Sequence, residues 1–450
     1  MKKITLYLSV GLFCLSLSAG AQTKQWTLEE CVRYAIEHNI ELKQIEQEQE
    51  AREIELNTSR HAWLPNLNAS VGQNFSFGRT QGAEGTITGR NGSHTSINAQ
   101  IQMPVFDGFK IQNNMEASKL NFEAAIASLE KAKEDLAVRV ASYFLQVLYN
   151  KEILSIADLQ VALTGEQVSK TEVLVNSGKI PASQLYDIKA QLAKDEVTLA
   201  EAKNNVSLAL LDLAQSLELE RLGADFDTAV PEITDVIGAH TKSILPPDHI
   251  YDNAIAVKPQ IKEQQYLLES QRKKLKVAQA DYYPNLNIGA SYGTGYYHYY
   301  SGLREGEINR SFRSQLSDNS QQGIGLSLSI PVFNRFQVRN NVRSARVAIR
   351  NRELMMENSK KSLYKEIQQA YFNATAAQEK YIASGKSVDA SKEAFVYAEE
   401  RYAAGKSTVF EYNESKTKYS QSLAEQAQAK YNFIFRTKIL DFYNGIPITL

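Results

Sequence analysis

Pro65-Asn66-Leu67-Asn68 opens a segment that closes on Pro104-Val105-Phe106, and the same markers return at Pro284-Asn285-Leu286-Asn287 and Pro331-Val332-Phe333. Between each pair of markers the helical pattern of the rest of the chain stops and period two takes over. Leu67, Ala69, Val71, Phe75 and Phe77 alternate with Asn68, Ser70, Gly72, Asn74 and Ser76. The return run sets Ile97, Ala99, Ile101, Met103 and Val105 against Asn98, Gln100 and Gln102. The second copy has Leu286, Ile288, Ala290 and Tyr292, then Ile324, Leu326, Leu328, Ile330 and Val332, opposite small and polar residues. Such alternation predicts strands with one apolar and one small, polar face.

Strands of ten or eleven residues, tilted by about 40°, cover about 25 Å, the apolar height of an outer-membrane barrel. A single hairpin of this kind would suit a soluble core equally well. Four of matching length behind a secretion signal point to membrane strands. That signal is Lys2-Lys3, the apolar run Ile4–Leu17 and the small residues Ala19-Gly20-Ala21, with cleavage expected before Gln22. Cys14 falls inside it, so the mature chain carries Cys31 alone and no intrachain disulfide is expected. No later run approaches the ~20 apolar residues of a spanning helix. A formal net charge of -1 gives nucleic acid no electrostatic footprint.

Outside the strands the pattern is helical. Thr27 and Glu30 form a capping box before the stripe Leu28, Cys31, Val32, Ala35, Ile36, and a kink is expected near His38-Asn39. After Asp107-Gly108 a very long helix is predicted from about Phe109 to Asn176, about 100 Å at 1.5 Å per residue. Its expected seam is Leu136, Val140, Tyr143, Val147, Leu154, Ala157, Val161, Val168 and Val175. Gly178 and Pro181 end it, and a return helix is expected from Ala182 to Leu222.

The programme then recurs. Phe106 and Phe333 stand 227 positions apart, as do Gly178 and Gly405, whereas the opening prolines differ by 219, so eight extra residues fall in the second hairpin loop. The second seam is expected at Leu363, Ile367, Ala370, Ala374, Ala377, Tyr381, Val388, Phe395, Ala398 and Tyr402, with Ser384 and Ser391 as interruptions. The predicted organisation is a signal peptide (1–21), a first repeat (22–222), a linker (223–247), a second repeat (248–445) and a short tail (446–450).

This ordered recurrence resembles the TolC-like outer-membrane efflux protein family over essentially the whole mature chain. The resemblance implies a mostly α fold with membrane β. In it a homotrimer builds a twelve-stranded β-barrel continued by an α-helical barrel. Physics alone asks for part of this, because four strands cannot close a barrel and open edges are not tolerated in lipid. The implied function is passive export, as the outer-membrane exit duct for a periplasmic adaptor and an inner-membrane pump. No cofactor and no enzymatic activity are expected. The six histidines show no metal-ligand spacing, and no phosphate-binding glycine loop is present.

The resemblance also supplies candidate sites. Gly178-Lys179 and Gly405-Lys406 correspond to the hairpin tips that meet the adaptor; simple helix capping is the alternative. Glu411 and Glu414 fall where acidic residues line the periplasmic constriction, although this chain has Glu where the family has Asp. Their i,i+3 spacing puts both carboxylates on one helix face, and an ordinary exposed face remains the other reading.

Independently of the resemblance, Arg335, Arg339, Arg343, Arg346 and Arg350 form a basic stripe leaving the second hairpin. It reads either as a face paired with carboxylates of an adjoining helix or as a belt facing the lumen or anionic lipid. Tyr296, Tyr297, Tyr299 and Tyr300 at one strand end, and Trp63, Tyr282, Tyr283, Phe106 and Phe333 at the other, suit aromatic girdles. The tyrosine cluster could equally belong to an external loop. The rival reading from another class is a soluble periplasmic coiled-coil adaptor.

Overall fold

The structure, a computed structural model, describes residues 25–81, 87–220, 226–231, 244–303, 306 and 308–449. The expected signal peptide and the greater part of the linker lie outside the described residues. Two compact units divide the chain. One takes in the described residues of Met1–Glu46, Ser128–Ile261 and Ser359–Leu450; the other takes in those of Gln47–Ala127 and Lys262–Asn358.

Each repeat opens with a broken helix. Thr27 caps α1 (Leu28–His38) with both bonds of the capping box in place. Asn39 then leaves helical geometry at ψ 127° and α2 (Ile40–Arg60) follows. In the second repeat α5 (Pro247–Val257) breaks at Lys258, also at ψ 127°, before α6 (Pro259–Ala280). The expected kink at His38-Asn39 is thus a one-residue break, and it recurs 219 positions later. A short parallel pair, β1 (Gln25–Trp26) with β6 (Asp227–Thr228), joins the start of the first repeat to the segment expected as linker.

The second unit contains the strands. β2 (Asn66–Ser76), β5 (Asn91–Phe106), β7 (Asn285–Ser301) and β8 (Gln321–Ser329) form one antiparallel sheet in the order β2-β5-β7-β8. A small ribbon of β3 (Arg79–Gln81) and β4 (Ile87–Gly89) extends the first hairpin. Register puts the apolar residues in rows. Leu67 pairs Ile101, Ile101 pairs Ala290 and Ala290 pairs Ile324, while Met103, Ile288 and Leu326 form the next row. Leu67 (69%), Val71 (73%), Ile324 (84%) and Leu326 (70%) are exposed, so this face is built for an apolar solvent, not for a core. Ile330, Val332 and Phe333, expected as part of the last strand, lie beyond its end at Ser329.

β7 outruns β8, whose last partner on it is Gly293. The eight extra residues of the second hairpin loop accompany a short helix, α7 (Phe312–Asp318), beside this overhang. Here amide side chains take the place of a strand. Gln315 accepts from the Tyr297 N–H and donates to its carbonyl, both at 2.9 Å. Asn309 does the same for Tyr299, at 2.9 and 2.8 Å, and Asn319 donates to Gly295 O at 2.7 Å. An edge that would otherwise leave backbone groups unpaired is closed from within the chain. Tyr296, Tyr297, Tyr299 and Tyr300 belong to β7 itself, not to an external loop.

Two helices of 67 residues follow the hairpins, α3 (Lys110–Asn176) and α8 (Gln337–Ala403), each with a 35-residue return, α4 (Ala182–Ser216) and α9 (Val409–Tyr443). The return helix α4 therefore stops short of Leu222, where Glu218 turns to φ 56°. In the first unit α1, the second part of α3, α4 and α9 pack around Leu28, Cys31, Leu136, Val140, Phe144, Leu213 and Ile434. A second cluster gathers Ile250, Ile261, Leu363, Ile367 and Leu440.

The seam of α8 follows the sequence reading from Leu363 to Phe395, and even the interrupting Ser384 is buried. The seam of α3 does not. Tyr143 is 37% exposed and Phe144 is buried instead. Beyond Ala157 the buried stripe is Gln160, Thr164, Gln167 and Thr171, rather than Val161, Val168 and Val175. A valine at seam spacing looks like core, but neighbouring helices offer polar partners to two members of the stripe, Asp195 and Lys416 to Thr164 and Tyr402 to Thr171, while Gln160 Nε2 has no hydrogen-bond partner among the described residues.

Candidate functional site

The two hairpin tips are built alike. At the first, Gly178 has φ 73°, and the Lys179 N–H reaches back to Leu174 O at 3.0 Å. At the second, Gly405 has φ 70°, and the Lys406 N–H reaches Arg401 O at 2.8 Å. A bond spanning five residues with glycine in the left-handed region is a Schellman ending. A Cβ at either glycine would meet nothing within 4 Å. Backbone angle, not space, therefore asks for glycine. Lys179 and Lys406 are exposed, as are Tyr186 and Phe410 just past the turns.

Glu411 and Glu414 lie in the first two turns of α9, where the Thr408 side chain caps the helix by accepting from the Glu411 N–H at 3.2 Å. Both glutamates are exposed and each has a basic neighbour. Arg401 lies 3.6 Å from Glu411, and Lys418 donates to Glu414 at 2.7 Å. Glu414 also lines a groove of about 630 Å³ with Asp187, Gln191, Phe410, Asn413 and Lys418.

Between these tips and the core lies a constellation absent from the sequence reading. Lys416 of α9, 3% exposed, donates to Asp195 of α4 at 2.6 Å and to Thr164 of α3. Gln191 holds the other carboxylate oxygen at 2.7 Å. Three helices thus meet on one buried ion pair. The available signal was that Val409, Tyr412 and Lys416 share seam spacing, so a lysine occupies a core position. Nearby, Phe395, Tyr402, Tyr412 and Tyr419 form an aromatic cluster, and burial pushes the Tyr412 phenol far above its ordinary range. Deeper in, burial also lowers the Lys258 ammonium, which lies 3.1 Å from Glu134 and 3.3 Å from the Phe442 ring centre.

The arginine stripe belongs to the other unit. Arg335 is not on the helix: it sits in the turn before α8 at φ 53°, where the first repeat has Gly108 at φ 68°. Arg339, Arg343 and Arg346 line a cleft of about 680 Å³ with Asn113, Lys276, Gln279 and Tyr282. Arg350 pairs with Glu353 of its own helix at 3.0 Å. Among the described residues Arg343 and Arg346 have no carboxylate partner, so the adjoining helix α6 does not neutralise them. No group of three or more His, Cys, Asp or Glu that could hold a metal ion occurs among the described residues.

The outer membrane efflux protein family matches residues 32–218 and 250–435, once for each repeat. The chain belongs to that family. It is therefore an outer-membrane export channel and not an enzyme, and the periplasmic adaptor reading falls. The chain is similar to the outer membrane protein TolC of Escherichia coli K12, with 22% identity over 446 residues covering 96% of this chain and 84% of that one. Among solved structures it shares the fold of CusC at TM-score 0.75 and 15% identity, covering 96% of both chains. The outer membrane channel CmeC of Campylobacter jejuni matches at TM-score 0.75 and 18% identity, over 93% of this chain and 86% of that one. No described helix is long and apolar enough to cross a membrane.

Proposed function

We propose that three copies of this chain close a twelve-stranded barrel in the outer membrane and form the exit duct of a tripartite export system. One observation carries this reading: a four-stranded antiparallel sheet with an exposed apolar face and open edges at β2 and β8. In lipid each unpaired backbone group costs several kcal/mol, so both edges need strands from further copies. In this reading the tips at Gly178-Lys179 and Gly405-Lys406 meet the helical hairpins of a periplasmic adaptor coupled to an inner-membrane pump. The exposed rings of Tyr186 and Phe410 supply apolar contact beside each turn.

Glu411 and Glu414 form the periplasmic constriction, two rings of three carboxylates in the trimer. Arg401 and Lys418 supply the positive charge that lets such rings approach. Light scattering on the detergent-extracted particle should give three chain masses with detergent subtracted, and a stable monomer would overturn the reading. Single-channel recording tests the constriction: Glu411→Gln with Glu414→Gln should reduce cation selectivity, and an unchanged reversal potential would remove these residues from the pore.

A further inference from the structure

The two repeats differ in charge where their long helices begin. The first helix starts with its own anion: Asp107 caps α3, accepting from the Lys110 N–H at 3.1 Å and the Ile111 N–H at 2.7 Å. A carboxylate there suits the positive end of the helix dipole. At the start of α8 the counterpart, 227 positions on, is the neutral Asn334, and no acidic residue occurs from Gln337 to Arg352. The helix carries Arg339, Arg343 and Arg346 instead, neighbours at i,i+4 and i,i+3 that repel one another. Their counterparts in the first repeat are Gln112, Glu116 and Lys119, so duplication does not account for the cluster.

These arginines share their cleft with Lys276 of α6, and no carboxylate lines it. The acids of the surrounding helices are committed elsewhere. Lys273 takes Glu116, Lys110 takes Asp281, and Arg350 and Arg272 share Glu353. Four cations thus converge on one cleft with no ion-pair partner among the described residues. Asn113 and Gln279 add neutral donors, and Phe109, Tyr282 and Tyr283, all exposed, add an aromatic wall. Phe109 comes three residues after β5 and Tyr283 two before β7. Exposed rings where the strands leave an apolar layer mark the interface between membrane and water, the depth at which lipid phosphates lie.

We infer that this cleft binds the phosphate of an anionic lipid headgroup in the periplasmic leaflet of the outer membrane. Guanidinium groups present paired N–H donors that match phosphate oxygens, and Lys276 adds a point charge from the facing helix. The rings beside the cleft hold the start of the acyl chains, which continue along the apolar face of the sheet. Soluble phosphate has the same charge chemistry but makes no use of the rings or of a place beside the strand ends. The inference goes beyond export: it rests on the membrane placement of the sheet and not on the number of copies.

The test uses the full chain, stripped of lipid in a neutral maltoside detergent and titrated with short-chain phosphatidylglycerol, with bound lipid counted by native mass spectrometry. A single tightly held lipid per chain is expected, and Arg343→Gln with Arg346→Gln should weaken it about tenfold. Lys276→Gln, on the other helix, should weaken it to a lesser degree and keeps the test decisive should the arginine variant fail to fold. Lys119→Gln with Lys274→Gln removes the same charge from exposed positions outside the cleft and should leave binding unchanged. Undiminished binding by the arginine variant, or an equal loss in the lysine control, would overturn the site. Inorganic phosphate at the same concentration should not displace the lipid; displacement would assign the cleft to a soluble anion instead. Flotation with phosphatidylcholine vesicles checks the placement separately. A chain that does not float would overturn the membrane placement of the sheet, whereas one that floats but binds phosphatidylglycerol no better than phosphatidylcholine would overturn the cleft alone.

Discussion

The two helical hairpins, α3–α4 and α8–α9, came from one plan and hold together by different chemistry. Thr164 donates to Asp195 in the first, and the residues 227 positions on, Ser391 and Ser422, share a hydrogen bond at 2.6 Å in the second. The geometry of the link survives the duplication while its charge does not. A serine–serine link is complete in itself. A carboxylate at Asp195 needs a cation, and Lys416 supplies it from the other hairpin. Lys189, the counterpart of Lys416 in the first hairpin, is exposed and reaches only Glu172 at 3.4 Å. One neutral-to-charged difference therefore turns a bond inside a hairpin into a bond between hairpins.

The comparison breaks most visibly at Lys416. Lys416→Met should cost about 3–5 kcal/mol, because it leaves the Asp195 carboxylate buried without its cation. Thermal unfolding of the detergent-extracted protein would register the loss, and adding Asp195→Leu should recover all but about 1 kcal/mol of it. If the double variant is no better than the single one, the ion pair is not what joins the hairpins. The tips come next. Gly178→Ala and Gly405→Ala should each cost about 1–2 kcal/mol, and by similar amounts, since both sites demand a left-handed backbone and neither is crowded. A large difference between them would mean that one tip has a further contact.

Ser422→Ala should cost only about 1 kcal/mol, the worth of a neutral hydrogen bond, and so sharpens the contrast with Lys416. The smallest effect concerns the repeat openings, where Cys31 stands at the position of Ile250. Burial, with Glu30 adding to it, pushes the Cys31 thiol up to about 12 from 9.0. A thiol that ionises sooner in the unfolded chain takes stability away as pH rises, so its contribution is intact below pH 9 and fades toward about 12. Cys31→Val should remove that part of the alkaline decline, measured as the difference between the two unfolding curves.

Local pattern carried the reading a long way because each element announces itself within a few residues. Thr27 with Glu30 marks a helix start, Gly405 a helix end, and Leu67-Asn68-Ala69 a strand with two unlike faces. The polar stripe of α3 escaped for the opposite reason. Whether Thr164 or Val161 turns inward depends on what the packed helices present, and Asp195 and Lys416 lie 31 and 252 positions from Thr164. The spacing of Arg335 suits a helix; the left-handed turn that excludes it, at φ 53°, follows from how the strand hands over to the helix.

The amino-acid order by itself determined the repeat, the place of its strands, its two glycine-ended hairpin tips and the need for further copies, since each follows from periodicity, backbone preference or the intolerance of lipid for open strand edges. Only the tertiary structure decided which faces are covered and which are left bare. Covering depends on pairs of residues far apart in the chain: the small-residue face of α3 lies under α6, and the equivalent face of α8 stands open.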